Sequence, residues 1–201
     1  MQVNKLNQEI EIEFKNLINK DVYHDLLKKY ESSRSPIFKQ VNHYFDTDLF
    51  SLKAKGAALR VRYKKEGYIL TLKQPHEGAI LETHQSISES EFLSFKQHGS
   101  LTSGDVYHQL IELLENNLPP LHYLGYLTTE RTEISLNDGL LVLDKSYYFD
   151  EIDYEIEFEC TEAVAGQAAF EKLLENWKLD WVKPANKIER FYQAKQRFER
   201  S

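Results

Sequence analysis

The sequence predicts an α+β protein whose main element is an antiparallel β-barrel or a large curved sheet. Two observations carry this prediction. About eight short segments alternate apolar and polar residues with the spacing typical of hairpins. Several of the connecting segments show instead the apolar periodicity of an amphipathic helix. The chain of 201 residues is long enough to bury a core, and residues 1–201 are predicted to form a single domain.

The N-terminal half begins with a strand and a helix. Residues 8–15 alternate strictly, with Ile and Phe side chains on one face and mostly charged side chains on the other. Residues 20–31 have an apolar stripe at helical spacing, and Asp21 can cap this helix. Four short strands follow, at 38–46, 57–64, 67–74 and 79–87.

Glycine and proline mark the ends of the next two helices. Gly99 follows the helix at 90–98 and can adopt the left-handed conformation of a C-cap. Pro119 and Pro120 follow the helix at 105–117 and prevent its continuation.

The C-terminal half is predicted as three strands followed by two helices. The segment Asn137-Asp138-Gly139 is a turn signal between two of these strands, which indicates a hairpin. Thr161 can cap the first of the two helices. The predicted strands are 122–136, 139–149 and 152–160, and the helices are 162–178 and 186–199.

Composition limits the partners and the compartment. The formal net charge of −7 argues against general nucleic-acid binding, which needs a basic surface. No apolar run reaches the roughly 18 residues that a membrane span requires, and the N-terminus lacks a signal or transit pattern. Cys160 is the single cysteine, so no internal disulfide indicates secretion. We therefore expect a cytoplasmic protein with no nucleic-acid or membrane partner; the oligomeric state is left open.

The predicted strands repeatedly place charged residues on one face. Like charges at positions i and i+2 lie about 7 Å apart and repel one another unless an opposite charge lies between them. The residues that share a charged face are Glu11, Glu13 and Lys15; Arg60 and Arg62; Glu82 and His84; Arg131 and Glu133; and Glu155, Glu157 and Glu159.

Two interpretations of these faces are open. Each strand taken alone is typical of a half-buried sheet with a solvated face. Taken together, the clustered acids favour divalent cations such as Mg²⁺, and the arginines favour phosphate, which a guanidinium binds two oxygens at a time. Lys15, Lys73 and Lys145 would be point charges for the same ligand. Lys145 follows an aspartate in its strand, so both an inward and an outward placement are open for it.

The motifs then resemble a known family. Residues 11–15 match the E-x-E-x-K signature of the CYTH superfamily, also called the triphosphate tunnel metalloenzymes. Seven later segments resemble further family blocks in the right order, and the resemblance spans residues 9–192. They are Tyr44-Phe45-Asp46-Thr47, Leu59-Arg60-Val61-Arg62, Leu70-Thr71-Leu72-Lys73, Glu130-Arg131-Thr132, Leu143-Asp144-Lys145 with the strand 154–159, and Lys187-Ile188-Glu189-Arg190-Phe191.

The resemblance implies a closed eight-stranded antiparallel β-barrel, or tunnel, with flanking helices. It also implies a triphosphate bound inside and Mg²⁺ or Mn²⁺ as cofactor. The implied metal ligands are Glu11, Glu13, Asp144 and acids among Glu155, Glu157 and Glu159, of which the spacing from Asp144 favours Glu157 and Glu159. The implied phosphate-binding residues are Lys15, Arg60, Arg62, Lys73, Arg131, Lys145 and Lys187, with Lys187 closing one end of the tunnel and Lys15 and Lys73 as catalytic candidates.

Three functions are compatible with this pattern. The leading hypothesis is metal-dependent hydrolysis of a triphosphate, either inorganic tripolyphosphate or an organic triphosphate such as thiamine triphosphate. The runner-up is a class IV-type adenylate cyclase, and the third is a non-catalytic polyphosphate or nucleotide sensor. The histidines show no metal-ligand spacing. His84 is interpreted as a surface residue, with a position in the tunnel beside Glu82 as the alternative.

Overall fold

The computed structural model of the protein describes residues 7–64 and 67–200. Within these residues the chain forms eight strands and six helices. In chain order they are β1 (Gln8–Ile18), α1 (Lys20–Lys29), β2 (Phe38–Thr47), α2 (Ser51–Ala54), β3 (Ala58–Lys64), β4 (Gly67–His76), β5 (Ala79–Ile87), α3 (Glu89–His98), α4 (Asp105–Leu113), β6 (Leu121–Leu136), β7 (Gly139–Tyr148), β8 (Glu151–Cys160), α5 (Ala163–Asn176) and α6 (Lys187–Phe198).

The strands close into a barrel in the order β1-β5-β4-β3-β2-β6-β7-β8. The recorded pairings are antiparallel, and the hairpins join neighbouring strands: Lys73 lies opposite Glu82 in β4–β5, and Asp144 lies opposite Glu155 in β7–β8. The predicted α+β class and closed eight-stranded antiparallel barrel are therefore confirmed.

The chain divides into two compact units, and each has its own apolar core. Among the described residues, the first comprises 7–10, 41–64 and 67–126. Its core forms where alternate side chains of β2, β3 and β4 pack against α2, α3 and α4. The central side chains, all fully or almost fully buried, are Phe45, Leu52, Leu59, Val61, Leu70, Leu72, Phe92, Phe95, Val106 and Leu110.

The second unit comprises residues 11–40 and 127–201. Here the apolar faces of β6, β7 and β8 pack against α1 and α5. Its buried side chains include Leu26, Ile134, Leu141, Leu143, Ile156, Phe158, Phe170 and Leu174. In both units one strand face meets helices, so the opposite face of the same strands is the inner face of the barrel.

Helix caps differ from the predicted ones at two places. Asn19, not Asp21, caps α1, because its side chain accepts a hydrogen bond from the Val22 amide at 2.9 Å. Glu162, not Thr161, caps α5 by accepting from two backbone amides. The predicted end of α3 at Gly99 is confirmed, with Gly99 at φ 67°.

No helix within the described part of the chain combines the length and apolar character that crossing a membrane would require.

Candidate functional site

The charged faces predicted from sequence lie opposite the helix-packed faces. Alternation along β8 places Glu155, Glu157 and Glu159 away from Ile156 and Phe158, which lie in the core of the second unit. In the same way Arg60 and Arg62 lie opposite Leu59 and Val61 in the first unit. The apolar core therefore fixes which side chains reach the inner face.

In the second unit, Arg131 on β6 lies among three acids. Its Nε donates to Asp144 Oδ1 at 2.8 Å, and one terminal nitrogen donates to Asp144 Oδ2 at 2.6 Å, which makes the pair bidentate. The same terminal nitrogen donates to Glu157 Oε2 at 2.6 Å. Glu159 Oε1 lies 3.8 Å from the other terminal nitrogen.

Lys187, the first residue of α6, contacts a neighbouring set of acids. Its Nζ lies 2.6 Å from Asp144 Oδ2 and 2.7 Å from Glu155 Oε2, and it also donates to Glu157. Asp144 and Glu155 are almost completely buried. The helix start that was predicted to close the barrel therefore places its lysine in this acidic cluster.

Arg190 belongs to this cluster but was missed as a site residue. Its Nε donates to Asp153 Oδ2 at 2.7 Å, and a terminal nitrogen donates to Glu155 Oε2 at 2.9 Å. A usable signal was present, because residues three apart in a helix share a face and Arg190 follows Lys187 at that spacing. Glu155 is thus shared by two cations, whereas Glu159 is the most exposed of Glu155, Glu157 and Glu159, at 31%.

The electrostatics follow from burial and opposite charge. Burial alone would raise the pKa of Glu157, but Lys187, Arg131 and Lys15 together hold it well below its usual range. Burial would lower the pKa of Lys187, and the nearby carboxylates of Asp144, Glu155 and Glu157 raise it well above its ordinary value. Glu157 and Lys187 are therefore both charged at neutral pH, and they form an ion pair with each other.

The β1 acids fit a hard divalent cation. Glu13 lies opposite Glu159 in the β1–β8 register, and Lys15 lies opposite Glu157. Directly opposed residues have Cβ atoms about 5 Å apart, close enough for two carboxylates to share a cation. Lys15 Nζ donates to Glu13 Oε1 at 2.6 Å. The donor set of carboxylate oxygens from Glu11, Glu13 and Glu159 is one that Mg²⁺ or Mn²⁺ accepts.

In the first unit the arginines of β3 have different partners. Arg62 Nε donates to Asn42 Oδ1 at 2.6 Å. Arg60 has a terminal nitrogen 3.9 Å from Glu82 Oε2. Its Nε is buried and has no hydrogen-bond partner among the described residues. A buried N–H donor without an acceptor is costly, and an oxyanion at this position would satisfy it.

A second cluster in the first unit contains Lys73, Glu82, His84 and Glu9. Lys73 Nζ pairs with Glu82 Oε1. His84 Nε2 lies 3.0 Å from Glu9 Oε1 and 3.5 Å from Glu82 Oε2. The interpretation of His84 as a surface residue was wrong, because its side chain is only 20% exposed and shares the inner face with Glu82. Glu9 was not predicted either, although it continues the alternation of the β1 acids by one step.

Lys145 is not brought together with the other predicted residues. It lies opposite Glu130 and Tyr154, on the face of β7 away from Asp144. Its Nζ lies 5.0 Å from the centre of the Tyr147 ring and 5.9 Å from that of Tyr154. Of the two placements that the sequence left open, the structure shows the outward one.

Comparisons with known proteins show the family to which the chain belongs. A family model described as CYTH domain matches residues 9–192. The chain is 43% identical over 193 residues to the protein of Bacillus subtilis (strain 168) named "Putative triphosphatase YjbK", an alignment that covers 96% of this chain and 99% of that protein.

Two solved structures share the fold. The crystal structure of a protein from Bacillus halodurans, called a "putative adenylate cyclase", superposes with a TM-score of 0.85 at 38% identity, covering 93% of this chain and 100% of the other. HpAC1 from Hippeastrum, described as a "putative adenylyl cyclase" that reveals a dominant triphosphatase activity, has a TM-score of 0.74 at 22% identity, covering 92% and 96%. At that identity the second likeness bears on the fold alone.

Proposed function

We propose that this chain, which belongs to the CYTH domain family, hydrolyses a triphosphate with the help of a divalent metal ion. The observation that carries the proposal is the inner face of the barrel, where cations and acids lie in contact instead of being dispersed in solvent. Burying many charges costs several kcal/mol per ion unless they are well paired, so such clusters are weak evidence for stability and stronger evidence for function.

The cations would bind the phosphate oxygens. In the second unit Arg131 and Lys187 now contact acids, and both present donors that match phosphate. In the first unit the buried Nε of Arg60 supports the same role for Arg60 and Arg62. We assign Lys15 and Lys73 as catalytic residues that stabilise charge developing on the phosphate chain in the transition state. Lys145 is left out of this set because of its outward position.

The acids would divide between holding metal and holding protein cations. Glu11, Glu13 and Glu159 would be metal ligands. Glu157 would join them when Arg131 and Lys187, which now contact it, bind phosphate instead. Mg²⁺ or Mn²⁺ held by these carboxylates would supply Lewis-acid stabilisation of the negative charge on the phosphates. Glu155 and Asp144 would hold Lys187, Arg190 and Arg131 in position.

The substrate class follows from the same charges. The assigned cations would bind the oxygens of a phosphate chain, and the assigned acids would hold the metal or those cations. Inorganic tripolyphosphate or an organic triphosphate such as thiamine triphosphate would suit this arrangement. The name "Putative triphosphatase YjbK" of the 43% identical relative supports this choice. The preferred metal, cytoplasmic location and single-domain organisation stay predictions from the sequence.

Adenylate cyclase activity is a second candidate, favoured by the name of the 38% identical Bacillus halodurans structure. A cyclase would bind the triphosphate with the same residues, but the 3′-hydroxyl of ATP would attack the α-phosphorus and pyrophosphate would leave. That chemistry requires contacts that hold base and ribose in a near-attack geometry.

The metal requirement is tested by following orthophosphate release from tripolyphosphate by the full chain with Mg²⁺, with Mn²⁺ and with excess EDTA. We expect release with at least one metal and none above background with EDTA. Equal rates with and without EDTA would contradict the metal role.

A further inference from the structure

We propose that Glu9, Glu82 and His84 form a binding site for a transition-metal ion of the zinc class, distinct from the carboxylate site of Glu11, Glu13 and Glu159. The three residues lie in the first unit, on β1 and β5. Their ligand atoms all lie within 4.8 Å of one another. The inference does not depend on which substrate the chain hydrolyses.

The distances match a tetrahedral ion. Ligands at about 2.0–2.1 Å from a tetrahedral Zn²⁺ lie about 3.3–3.4 Å from one another. His84 Nε2 is 3.0 Å from Glu9 Oε1 and 3.5 Å from Glu82 Oε2, which brackets that spacing. Two of the three ligand–ligand distances therefore already suit a tetrahedral ion, and all three ligand atoms lie within 4.8 Å of one another.

The imidazole is oriented by a residue outside the ligand set. His84 Nδ1 lies 3.0 Å from the hydroxyl oxygen of Thr71, which is buried and directly opposite in the β4–β5 pairing. When Nδ1–H donates to Thr71, the Nε2 lone pair faces the two carboxylates. In that tautomer three lone-pair donors are directed at one point, and an Nδ1–H held by an outer partner is the usual arrangement of a metal-binding histidine.

The carboxylates are also arranged as ligands. Glu82 uses Oε1 for Lys73, and this contact orients Oε2 toward His84. Glu82 is buried, whereas the Glu9 side chain is 67% exposed, so one side of the site is open to solvent. Solvent access provides an entry path and a fourth position for water.

The nitrogen ligand determines the class of ion. Mg²⁺ prefers an all-oxygen octahedron, whereas imidazole with carboxylates suits Zn²⁺, Co²⁺ or Mn²⁺. We therefore expect Zn²⁺ to bind at this cluster even when Mg²⁺ is present in excess.

The test is a calorimetric titration of the full chain with Zn²⁺ in excess Mg²⁺, without substrate, together with the visible absorption of bound Co²⁺. His84→Ala should weaken Zn²⁺ binding by about 10-fold or more and remove the Co²⁺ band. Thr71→Val should weaken it by about 10- to 100-fold, the usual effect of losing an outer partner of a metal ligand. Circular dichroism establishes that each variant is folded, and His84→Gln provides a second, less disruptive substitution.

The matched control is His122→Ala. His122 Nε2 lies 3.1 Å from Asp48 Oδ1, so it forms a histidine–carboxylate pair in the same unit without the buried glutamate. We expect this variant to bind Zn²⁺ like the wild type. The proposal is overturned if the wild type binds no Zn²⁺ under these conditions, or if His84→Ala binds it as tightly as the wild type does. The Zn²⁺ titration and the Co²⁺ spectrum are both measured without substrate. Their outcome therefore does not depend on whether the chain hydrolyses a triphosphate.

Discussion

Arg60 and Arg62 present guanidinium groups to the same face of β3 but have different protein partners. Arg62 is held by Asn42, while Arg60 keeps a buried Nε without an acceptor among the described residues. Both guanidinium groups carry N–H donors that can form charge-assisted hydrogen bonds to phosphate. Neither arginine belongs to the apolar core of the first unit.

We expect Arg60→Ala and Arg62→Ala each to weaken tripolyphosphate binding by about 1.5–3 kcal/mol, the usual range for a hydrogen bond to a charged group. Calorimetric titration with tripolyphosphate and a metal that does not support hydrolysis measures this. Lys145→Ala is the matched control, because it removes one positive charge from the opposite face. Equal losses in all three variants would show that only net charge matters.

Glu11 and Glu13 share the inner face of β1, and Glu13 lies opposite Glu159. Glu11→Gln or Glu13→Gln keeps the side-chain size and removes the charge that a divalent cation needs. We expect turnover of tripolyphosphate to fall on the order of 100-fold while the circular dichroism spectrum is unchanged.

The control for these variants is Glu130→Gln on the other face of β6, where Glu130 accepts a hydrogen bond from the Tyr147 hydroxyl at 2.7 Å. Its turnover should stay close to wild type. Near-normal turnover in both β1 variants would refute the metal assignment.

At the scale of elements, the ends of strands and helices depend on backbone conformation as much as on side chains. Helix α3 begins with a capping box, in which Ser88 accepts from the Glu91 amide and the Glu91 side chain accepts from the Ser88 amide. It ends at Gly99, whose φ of 67° is left-handed. A Cβ on Gly99 would lie 1.9 Å from the Leu121 carbonyl oxygen, at the start of β6.

We therefore expect Gly99→Ala to lower the free energy of unfolding by about 1–3 kcal/mol, through the left-handed conformation and the overlap with β6. Chemical denaturation measures the change. Gly67→Ala is the control, because a Cβ there would meet nothing within 4 Å. If both substitutions had equal effects, the steric explanation would be wrong.

Most elements could be predicted from the sequence because alternation and helical spacing are strong along this chain. What could not be predicted depends on tertiary contacts. The short helix α2 was missed, since Asp46 organises it by accepting from the amides of Leu52 and Lys53 across a turn. Helix α4 ends at Leu113, four residues before the predicted end, because Glu115 and Asn116 adopt positive φ angles well ahead of the prolines.

The candidate site shows the same limit. Strand alternation indicated the charged faces of β1, β3 and β8, and it also indicated that Asp144 and Lys145 cannot share a face. It could not show that Glu9 lies beside Glu82 and His84, because strand pairing brings Glu9 next to residues more than 70 positions away in the sequence. Nor could it show how the β8 acids divide among Arg131, Lys187 and Arg190.

For the whole molecule, the buried ion pairs couple stability to pH. The folded-state pKa of Glu157 lies well below its ordinary value of 4.5, through Lys187, Arg131 and Lys15 acting against burial. A depressed pKa means that the stabilisation is fully present above about pH 4.5 and is lost as the pH falls through the lowered folded-state pKa. Glu157 therefore contributes to the steepness of acid unfolding.

We expect Glu157→Gln to reduce the dependence of unfolding free energy on pH below about pH 4.5, and to lower stability at neutral pH because two cations lose a buried partner. Denaturation series between neutral and acidic pH measure both effects. Glu175→Gln on the exposed side of α5 is the control and should follow the wild-type curve. If the unfolding free energy of Glu157→Gln depended on pH in the same way as that of the wild type, this glutamate would not be held by the cation cluster.

The central claim is that the charged inner face of this CYTH barrel positions a triphosphate for attack by water. The most direct measurement is product analysis of the full chain with tripolyphosphate, thiamine triphosphate and ATP, each with Mg²⁺ and with Mn²⁺. The account predicts orthophosphate from tripolyphosphate or thiamine triphosphate, released faster than any cyclic AMP is formed from ATP. Cyclic AMP with stoichiometric pyrophosphate as the main product from ATP, alongside inert tripolyphosphate, would contradict it.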